Sequence, residues 1–151
     1  MALEDDIDFL DRVPTLHILG REALRILAIS AESIRIQGGE MLFEEGAPAD
    51  SGYVVMHGAI MLQSTRDRTA RDGAIARPGT LIGEMALIVD SMRPATATAL
   101  ESSMVLRISR SVFLRMLEGE PGAAEALRRM ISKRVGAALD ELDLVAPLFS
   151  R

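Results

Sequence analysis

Cysteine and tryptophan are absent from this 151-residue chain, and aromatic residues make up only 3% of it. Without cysteine, the chain has neither a disulfide framework nor a thiolate metal site. It contains no run of roughly eighteen apolar residues, the length that a membrane-spanning helix requires. The acidic start, MALEDDIDFLDR, lacks the basic and apolar regions of a signal peptide. These absences favour a globular protein of the cytoplasm.

The charge balance gives little support for nucleic-acid binding. The net charge is −5 at pH 7, whereas a protein that neutralises many DNA phosphates usually carries a basic stripe. The basic residues near the C-terminal end are interleaved with acidic residues, and we interpret them as a solvated helix face. We therefore expect no direct binding to DNA.

The hydrophobic pattern changes twice along the chain. Apolar residues recur at helical spacing over about 4–30, with an interruption at Gly20. Over about 33–108, short apolar runs alternate with glycine-containing turns, which is typical of an antiparallel barrel or jelly roll. Helical signals return over about 109–146, where Ser109 is a candidate N-cap, Gly119 ends one helix and Pro121 begins the next. We predict one domain over residues 1–151, with helices before and after a β-roll.

The segment 79–97 carries the pattern of an anion site. It interrupts the strands with one predicted helical turn over 84–89, and Gly83 allows a ligand to approach the backbone there. Amides at the start of a helical turn lack intrahelical partners and favour an anion. Arg93 follows the turn and can donate paired, charge-assisted hydrogen bonds to phosphate oxygens. A carboxylate would repel phosphate, so the expected role of Glu84 is to accept a hydrogen bond from a sugar hydroxyl.

The two motifs of this segment resemble a known ligand site. They read Ile82-Gly83-Glu84-Met85-Ala86-Leu87 and Arg93-Pro94-Ala95-Thr96. This order resembles the phosphate-binding cassette of cyclic-nucleotide-binding domains of the catabolite activator protein, protein kinase A regulatory subunit and cyclic-nucleotide-gated channel type. The resemblance extends over roughly residues 9–145. It implies an α+β fold: an eight-stranded antiparallel β-roll with N-terminal helices, a short helix in the cassette (79–97) and C-terminal helices.

The resemblance also implies residue roles. By position, Arg93 would bind the cyclic phosphate and Glu84 the ribose 2′-hydroxyl. Pro94 replaces the usual Ala, Ser or Thr and offers neither a hydroxyl nor an amide, which favours cAMP over cGMP as the ligand. The direction of the Thr96 hydroxyl is left open. The predicted site comprises Leu81 and Ile82 on the pocket floor, Gly83, Met85, Ala86, Leu87 and Ala95 as amide donors, and Glu84, Arg93, Pro94 and Thr96.

The last predicted helix carries an apolar stripe at spacings of three and four residues. The stripe predicts contacts with the roll and, in the resembling family, a helix movement that transmits ligand binding. The candidate roll contacts are Leu127, Ile131 and Val135, and the candidate lid over the purine is Leu142, Leu144, Val145 and Phe149.

Three interpretations of the function stay open. The first is a cyclic-nucleotide sensor that acts through its C-terminal helices on a partner protein, a second copy or a neighbouring domain. The second is a regulatory domain excised from a channel or another larger protein, although the initial Met favours a stand-alone domain. The third is a β-roll interaction module that binds no nucleotide. We recognise no nucleophile elbow and no metal-holding cluster, so we expect no enzyme and no cofactor besides the ligand, cAMP or cGMP.

Overall fold

Three short helices begin the chain in the computed structural model, which describes residues 2–65 and 73–134. They are α1 (Ala2–Asp11), α2 (Pro14–His17) and α3 (Arg21–Ser30). Pro14 occupies the first turn of α2, where its missing amide costs no hydrogen bond. Gly20 precedes α3 with a φ of 88°, a conformation that glycine adopts readily. The predicted break at Gly20 is confirmed, and a further break after α1 makes three helices instead of two.

Ten strands follow within the described residues. Eight of them form two four-stranded sheets, in the orders β1-β10-β4-β7 and β2-β9-β5-β6, and the other two form a separate ribbon, β3-β8. All the pairings are antiparallel. The predicted eight-stranded roll is confirmed, with the ribbon as an addition. The strands are β1 (Glu32–Ile36), β2 (Met41–Phe43), β3 (Pro48–Ala49), β4 (Ser51–His57), β5 (Ile60–Gln63), β6 (Ala74–Ala76), β7 (Leu81–Ile82), β8 (Ser91–Met92), β9 (Thr96–Ala99) and β10 (Ser103–Ser109).

Strand β4 separates two hydrophobic cores. Tyr53 and Val55 face the core between the two sheets, whereas Val54 and Met56 face the core beneath the helices. This alternation follows from the two-residue period of a β-strand. Because both faces of β4 are covered, six of its seven residues are buried. The strand therefore supports both the helices and the interior of the roll.

Two helices follow the roll. In α4 (Arg110–Gly119), the Ser109 hydroxyl accepts a hydrogen bond from the Val112 amide at 3.2 Å, which confirms the predicted N-cap. Residues 121–134 are helical and form α5 as far as the structure describes it. Leu127 is buried in the helical core, while Ile131 is 37% exposed. The other stripe and lid residues, from Val135 to Phe149, lie outside the described residues. None of the helices in 2–65 and 73–134 is long and apolar enough to cross a membrane.

The cassette is anchored by short strands on both sides. Before its turn, β7 pairs with β4, with Ile82 opposite Tyr53. After the turn, β8 pairs with β3. The turn itself is a 3-10 helix over Glu84–Leu87, two residues shorter than the predicted 84–89. We refer to it as the cassette turn.

Candidate functional site

Arg93 lies in the interior between the strands of the roll. It follows β8, and only 4% of its surface is exposed. Its Nη2 donates a hydrogen bond to the Ser51 hydroxyl at 3.3 Å. Its Nη1 is buried and has no hydrogen-bond partner within the described part of the chain. Because buried polar groups are nearly always hydrogen-bonded, this unpartnered donor is a candidate contact for a ligand.

Two aromatic rings contact the Arg93 guanidinium. Its Cζ lies 4.3 Å from the ring centroid of Phe43 and 5.4 Å from that of Tyr53. Such contacts attract a cation without providing an anion that would neutralise it. Burial lowers the pKa of the Arg93 guanidinium from its ordinary value, although Tyr53 and Asp50 oppose the shift. Arg93 is therefore a buried cation, and its attraction for an anion is stronger there than in water.

A polar chain fixes the other side of the guanidinium. The Ser51 hydroxyl, which accepts from Arg93, donates to Asp50 Oδ1 at 3.0 Å, and Arg107 Nη2 lies 3.3 Å from both Asp50 oxygens. Burial raises the pKa of the Asp50 carboxyl, but the hydrogen bond from Ser51 and the charge and hydrogen bonds of Arg107 outweigh it, so the pKa lies below its ordinary value. Asp50 is therefore an anion at neutral pH, and it orients the serine that orients Arg93.

Gly83 leaves the space that the guanidinium occupies. Its φ of 77° and ψ of 40° lie in the left-handed region, which is unfavourable for residues other than glycine. A Cβ at this position would lie 2.7 Å from Arg93 Nη1, closer than non-bonded atoms approach. Backbone conformation and contact with Arg93 thus both favour glycine at position 83.

A small cavity of about 180 Å³ opens beside Arg93 and Gly83. Six predicted site residues line it: Leu81, Ile82, Gly83, Arg93, Pro94 and Ala95. The remaining lining residues, Phe43, Leu62 and Thr80, were missed by the sequence analysis, as were Ser51, Asp50 and Tyr53 around the guanidinium. The apolar pattern of strands 41–43 and 60–63 could have indicated that Phe43 and Leu62 face the interior of the roll. However, nothing in the pattern indicates that these strands face the cassette.

Glu84 lies at the outer edge of the site. Its side chain is 43% exposed, and its Oε1 accepts a hydrogen bond from Arg134 Nη1 of α5 at 3.3 Å. It borders an open cavity of about 420 Å³ together with Gly83 and Thr80. It also borders an apolar cavity of about 380 Å³, lined in part by Met85 and Ile131, between the cassette turn and α5. Glu84 therefore lies between Gly83 and the C-terminal helix, outside the lining of the small cavity beside Arg93.

The other predicted side chains serve the fold in this structure. Ala86 and Leu87 are 2% exposed, and the Ala86 amide donates to the Gly83 carbonyl at 3.1 Å. The Thr96 hydroxyl accepts from the Glu45 amide at 2.9 Å, which settles the direction that the sequence left open. Met85 is 61% exposed on the outer face of the turn. Contacts between these four residues and a nucleotide stay predictions.

Comparisons with known proteins agree with this geometry. The family model described as cyclic nucleotide-binding domain matches residues 33–120. The cyclic AMP receptor protein of Thermus thermophilus is 31% identical over 138 residues, 88% of this chain and 62% of that protein. The crystal structure of the N-terminal domain of a transcriptional regulator from Streptomyces coelicolor A3(2) is 33% identical, with a TM-score of 0.77, and the match covers 88% of this chain and 96% of that one.

The match to longer relatives is confined to one part of them. An uncharacterised NTE family protein of Mycobacterium tuberculosis is 31% identical over 124 residues, which are 82% of this chain and 21% of that protein. The chain thus spans about a fifth of the length of the first curated relatives that it matches.

Proposed function

The chain belongs to the cyclic nucleotide-binding domain family, and on that premise we propose that it is a cAMP-preferring sensor in which Arg93 binds the cyclic phosphate. The family is a regulatory nucleotide-binding domain. The proposal therefore concerns which nucleotide is bound, which residues bind it and how binding is passed on. It assigns no catalysis to the chain.

The unpartnered Arg93 Nη1 is the observation that carries the proposal. A buried guanidinium with one aligned serine and two aromatic neighbours leaves a charged donor unsatisfied. Leaving such a donor unpaired costs about 1–3 kcal/mol or more. A phosphate oxygen entering by the cavity at Gly83 would complete this hydrogen bond and neutralise the charge. If the role of Arg93 were purely structural, we would expect a carboxylate of the protein to pair with its guanidinium.

Glu84 is the proposed ribose contact. A carboxylate is a hydrogen-bond acceptor only, so it suits a free sugar hydroxyl beside the phosphate. Its neighbour Arg134 reduces the repulsion that the carboxylate would otherwise exert on the phosphate. The amides of Gly83, Met85, Leu87 and Ala95 remain the proposed neutral donors. The Ala86 amide would have to share its bond with the Gly83 carbonyl.

Pro94 supports cAMP over cGMP. It lines the small cavity and has neither a hydroxyl nor an amide proton to offer the guanine base. The similarity to a protein named for cyclic AMP points in the same direction. We therefore expect cGMP to bind more weakly than cAMP.

Transmission of the signal is proposed through α5. A ribose hydroxyl at Glu84 would compete with Arg134 for the carboxylate oxygens, so ligand binding would alter how α5 is held. A ligand biases such a movement only when it binds one arrangement better than the other. The proposed recipient is a partner protein, a second copy or a neighbouring domain in the cytoplasm. The recipient could be a neighbouring domain because the chain matches only a fifth of some longer relatives.

Isothermal titration calorimetry of the wild-type chain with cAMP, cGMP and 5′-AMP tests the proposal. We expect a Kd of about 10 μM or below for cAMP, equivalent to about −7 kcal/mol, with weaker binding of cGMP and little of 5′-AMP. If neither cyclic nucleotide binds, the chain is an interaction module instead. If cGMP binds more tightly, the assignment of Pro94 is wrong while the phosphate site stands.

A further inference from the structure

Arg110 holds the cassette turn from outside the ligand cavity. It is the first residue of α4, and 23% of its side chain is exposed. Its Nη1 lies 3.3 Å from the Ala86 carbonyl and 3.1 Å from the Val89 carbonyl, and 3.0 Å from the Ala49 carbonyl of β3. One guanidinium nitrogen thus joins β3 to the cassette turn and the residues just after it.

We infer that Arg110 is a positioning residue for nucleotide recognition, which sets the place of Glu84 without touching the ligand. This inference rests on the proposed function and deepens it. The last carbonyls of a helical turn have no partners within the turn. Arg110 supplies a donor to one such carbonyl, that of Ala86, and to the Val89 carbonyl two residues after the turn. It thereby fixes the end of a turn whose first residue is Glu84.

The length of the turn explains why its end governs its beginning. The 3-10 helix has four residues, Glu84–Leu87, and such a single turn has little stability of its own. Its Ala86 and Leu87 side chains are packed in the core, whereas the side chain of Glu84, the first residue of the turn, is 43% exposed. A shift of the Ala86 carbonyl would therefore displace the Glu84 carboxylate relative to Arg93.

Arg110 also connects the turn to the phosphate side of the site. Its own amide donates to the Asp50 carbonyl at 2.8 Å, and Asp50 is the residue that orients Ser51 beneath Arg93. The start of α4 is thereby bonded to both halves of the recognition site. Arg110 thus connects the backbone beside Glu84, the proposed sugar contact, to the backbone beside the residues that orient Arg93, the proposed phosphate contact.

The carboxylate partner of Arg110 is the less important contact. Arg110 Nη2 lies 2.7 Å from Asp90 Oδ1, but the Asp90 side chain is 97% exposed. Exposed ion pairs contribute little because water screens them. Loss of the Asp90 charge should therefore leave nucleotide affinity nearly unchanged. Loss of the Arg110 guanidinium should lower it. Lysine keeps the charge of Arg110 but not its planar set of donors.

The experiment compares the affinity for cAMP with that for 2′-deoxy-cAMP, which lacks the hydroxyl assigned to Glu84. The wild type should prefer cAMP about tenfold, as expected for a hydrogen bond to a charged group. In Arg110→Lys, we expect cAMP affinity to fall about tenfold and 2′-deoxy-cAMP affinity to fall about threefold or less, so that the preference falls to about threefold or less. Asp90→Asn and Arg115→Lys, an exposed arginine on the same helix, should keep the wild-type preference.

The ratio of the two affinities separates positioning from stability, because a general destabilisation of the protein would weaken the binding of cAMP and of 2′-deoxy-cAMP equally. If Arg110→Lys keeps the tenfold preference, the inference is wrong. If Asp90→Asn loses it as well, the ion pair and not the carbonyl contacts does the positioning. Should Arg110→Lys fail to fold, Arg110→Gln, which can still donate to one carbonyl, is measured against the same criterion. If the wild type binds neither ligand, the proposed function fails before the inference is reached.

Discussion

Arg93 and Arg110 both lie next to the cassette turn, and their surroundings differ in one respect. Arg110 is surrounded by protein acceptors: three backbone carbonyls and the Asp90 carboxylate. Arg93 is more deeply buried, yet it has one serine hydroxyl, two aromatic rings and an Nη1 without a partner among the described residues. The more buried cation is the less satisfied one.

This difference teaches how a structural arginine can be told from a ligand-binding one. Burial of a charge is unfavourable unless hydrogen bonds and counter-charges compensate it. At Arg110, backbone carbonyls and a carboxylate of the protein compensate the charge, and the result is a fixed turn. At Arg93, compensation is incomplete and a cavity lies alongside, so we expect a ligand anion to complete it.

Exchange of each arginine for methionine should have the largest effect. We expect Arg93→Met to weaken cAMP binding at least about 100-fold, since hydrogen bonds to a charged group contribute about 1.5–3 kcal/mol each. The free energy of unfolding without ligand should stay the same or rise by about 1 kcal/mol, because an apolar side chain replaces an unpaired buried charge. Arg110→Met should instead lower it by about 1–3 kcal/mol, since carbonyls lose their donor. Calorimetry and urea unfolding measure the two quantities.

The comparison breaks down if the two variants behave alike. A large loss of stability in unliganded Arg93→Met would mean that the protein already satisfies this guanidinium. An unchanged stability in Arg110→Met would mean that water replaces the arginine at the three carbonyls without loss.

An intermediate effect is expected from Gly83→Ala. The added Cβ would meet Arg93 Nη1 at 2.7 Å in a backbone of positive φ. We expect stability to fall by about 1–2 kcal/mol from the backbone conformation, and cAMP affinity to fall about tenfold as the guanidinium is displaced. Thermal unfolding and calorimetry provide the two values.

Gly39→Ala is the matched control for this substitution. Gly39 has a φ of 90°, but its Cβ would meet nothing within 4 Å. It should therefore show a similar loss of stability with unchanged affinity. Equal affinity losses in both variants would indicate that backbone strain, and not contact with Arg93, causes the effect.

The smallest effect is expected from Ser51→Ala. The Arg93–Ser51 bond of 3.3 Å is long, so its loss should weaken cAMP binding only about threefold. Ser103, another buried serine, accepts from the Ala59 amide and donates to the Glu101 carbonyl. Ser103→Ala should lower stability and leave affinity unchanged, as fluorescence competition and urea unfolding would measure. A larger affinity loss in Ser103→Ala than in Ser51→Ala would contradict the assigned orienting role of Ser51.

Predictability from sequence follows how local each interaction is. Helix boundaries at Gly20 and Ser109 and the cassette at 79–97 depend on neighbouring residues, and these were predicted. The acceptors of Arg110 are carbonyls that lie as far as 61 residues away, and a backbone carbonyl has no signature in a sequence. Phe43 and Tyr53 belong to different sheets, so their meeting at Arg93 depends on how the roll closes.

The most direct test of the central claim is nuclear magnetic resonance of the Arg93 guanidinium during titration with cAMP. The account predicts that its ¹H and ¹⁵N resonances move as Nη1 gains a phosphate acceptor, with the same midpoint as the heat of binding, while those of Arg110 change far less. Saturation with bound cAMP that leaves the Arg93 resonances unmoved would contradict the claim that this arginine binds the phosphate.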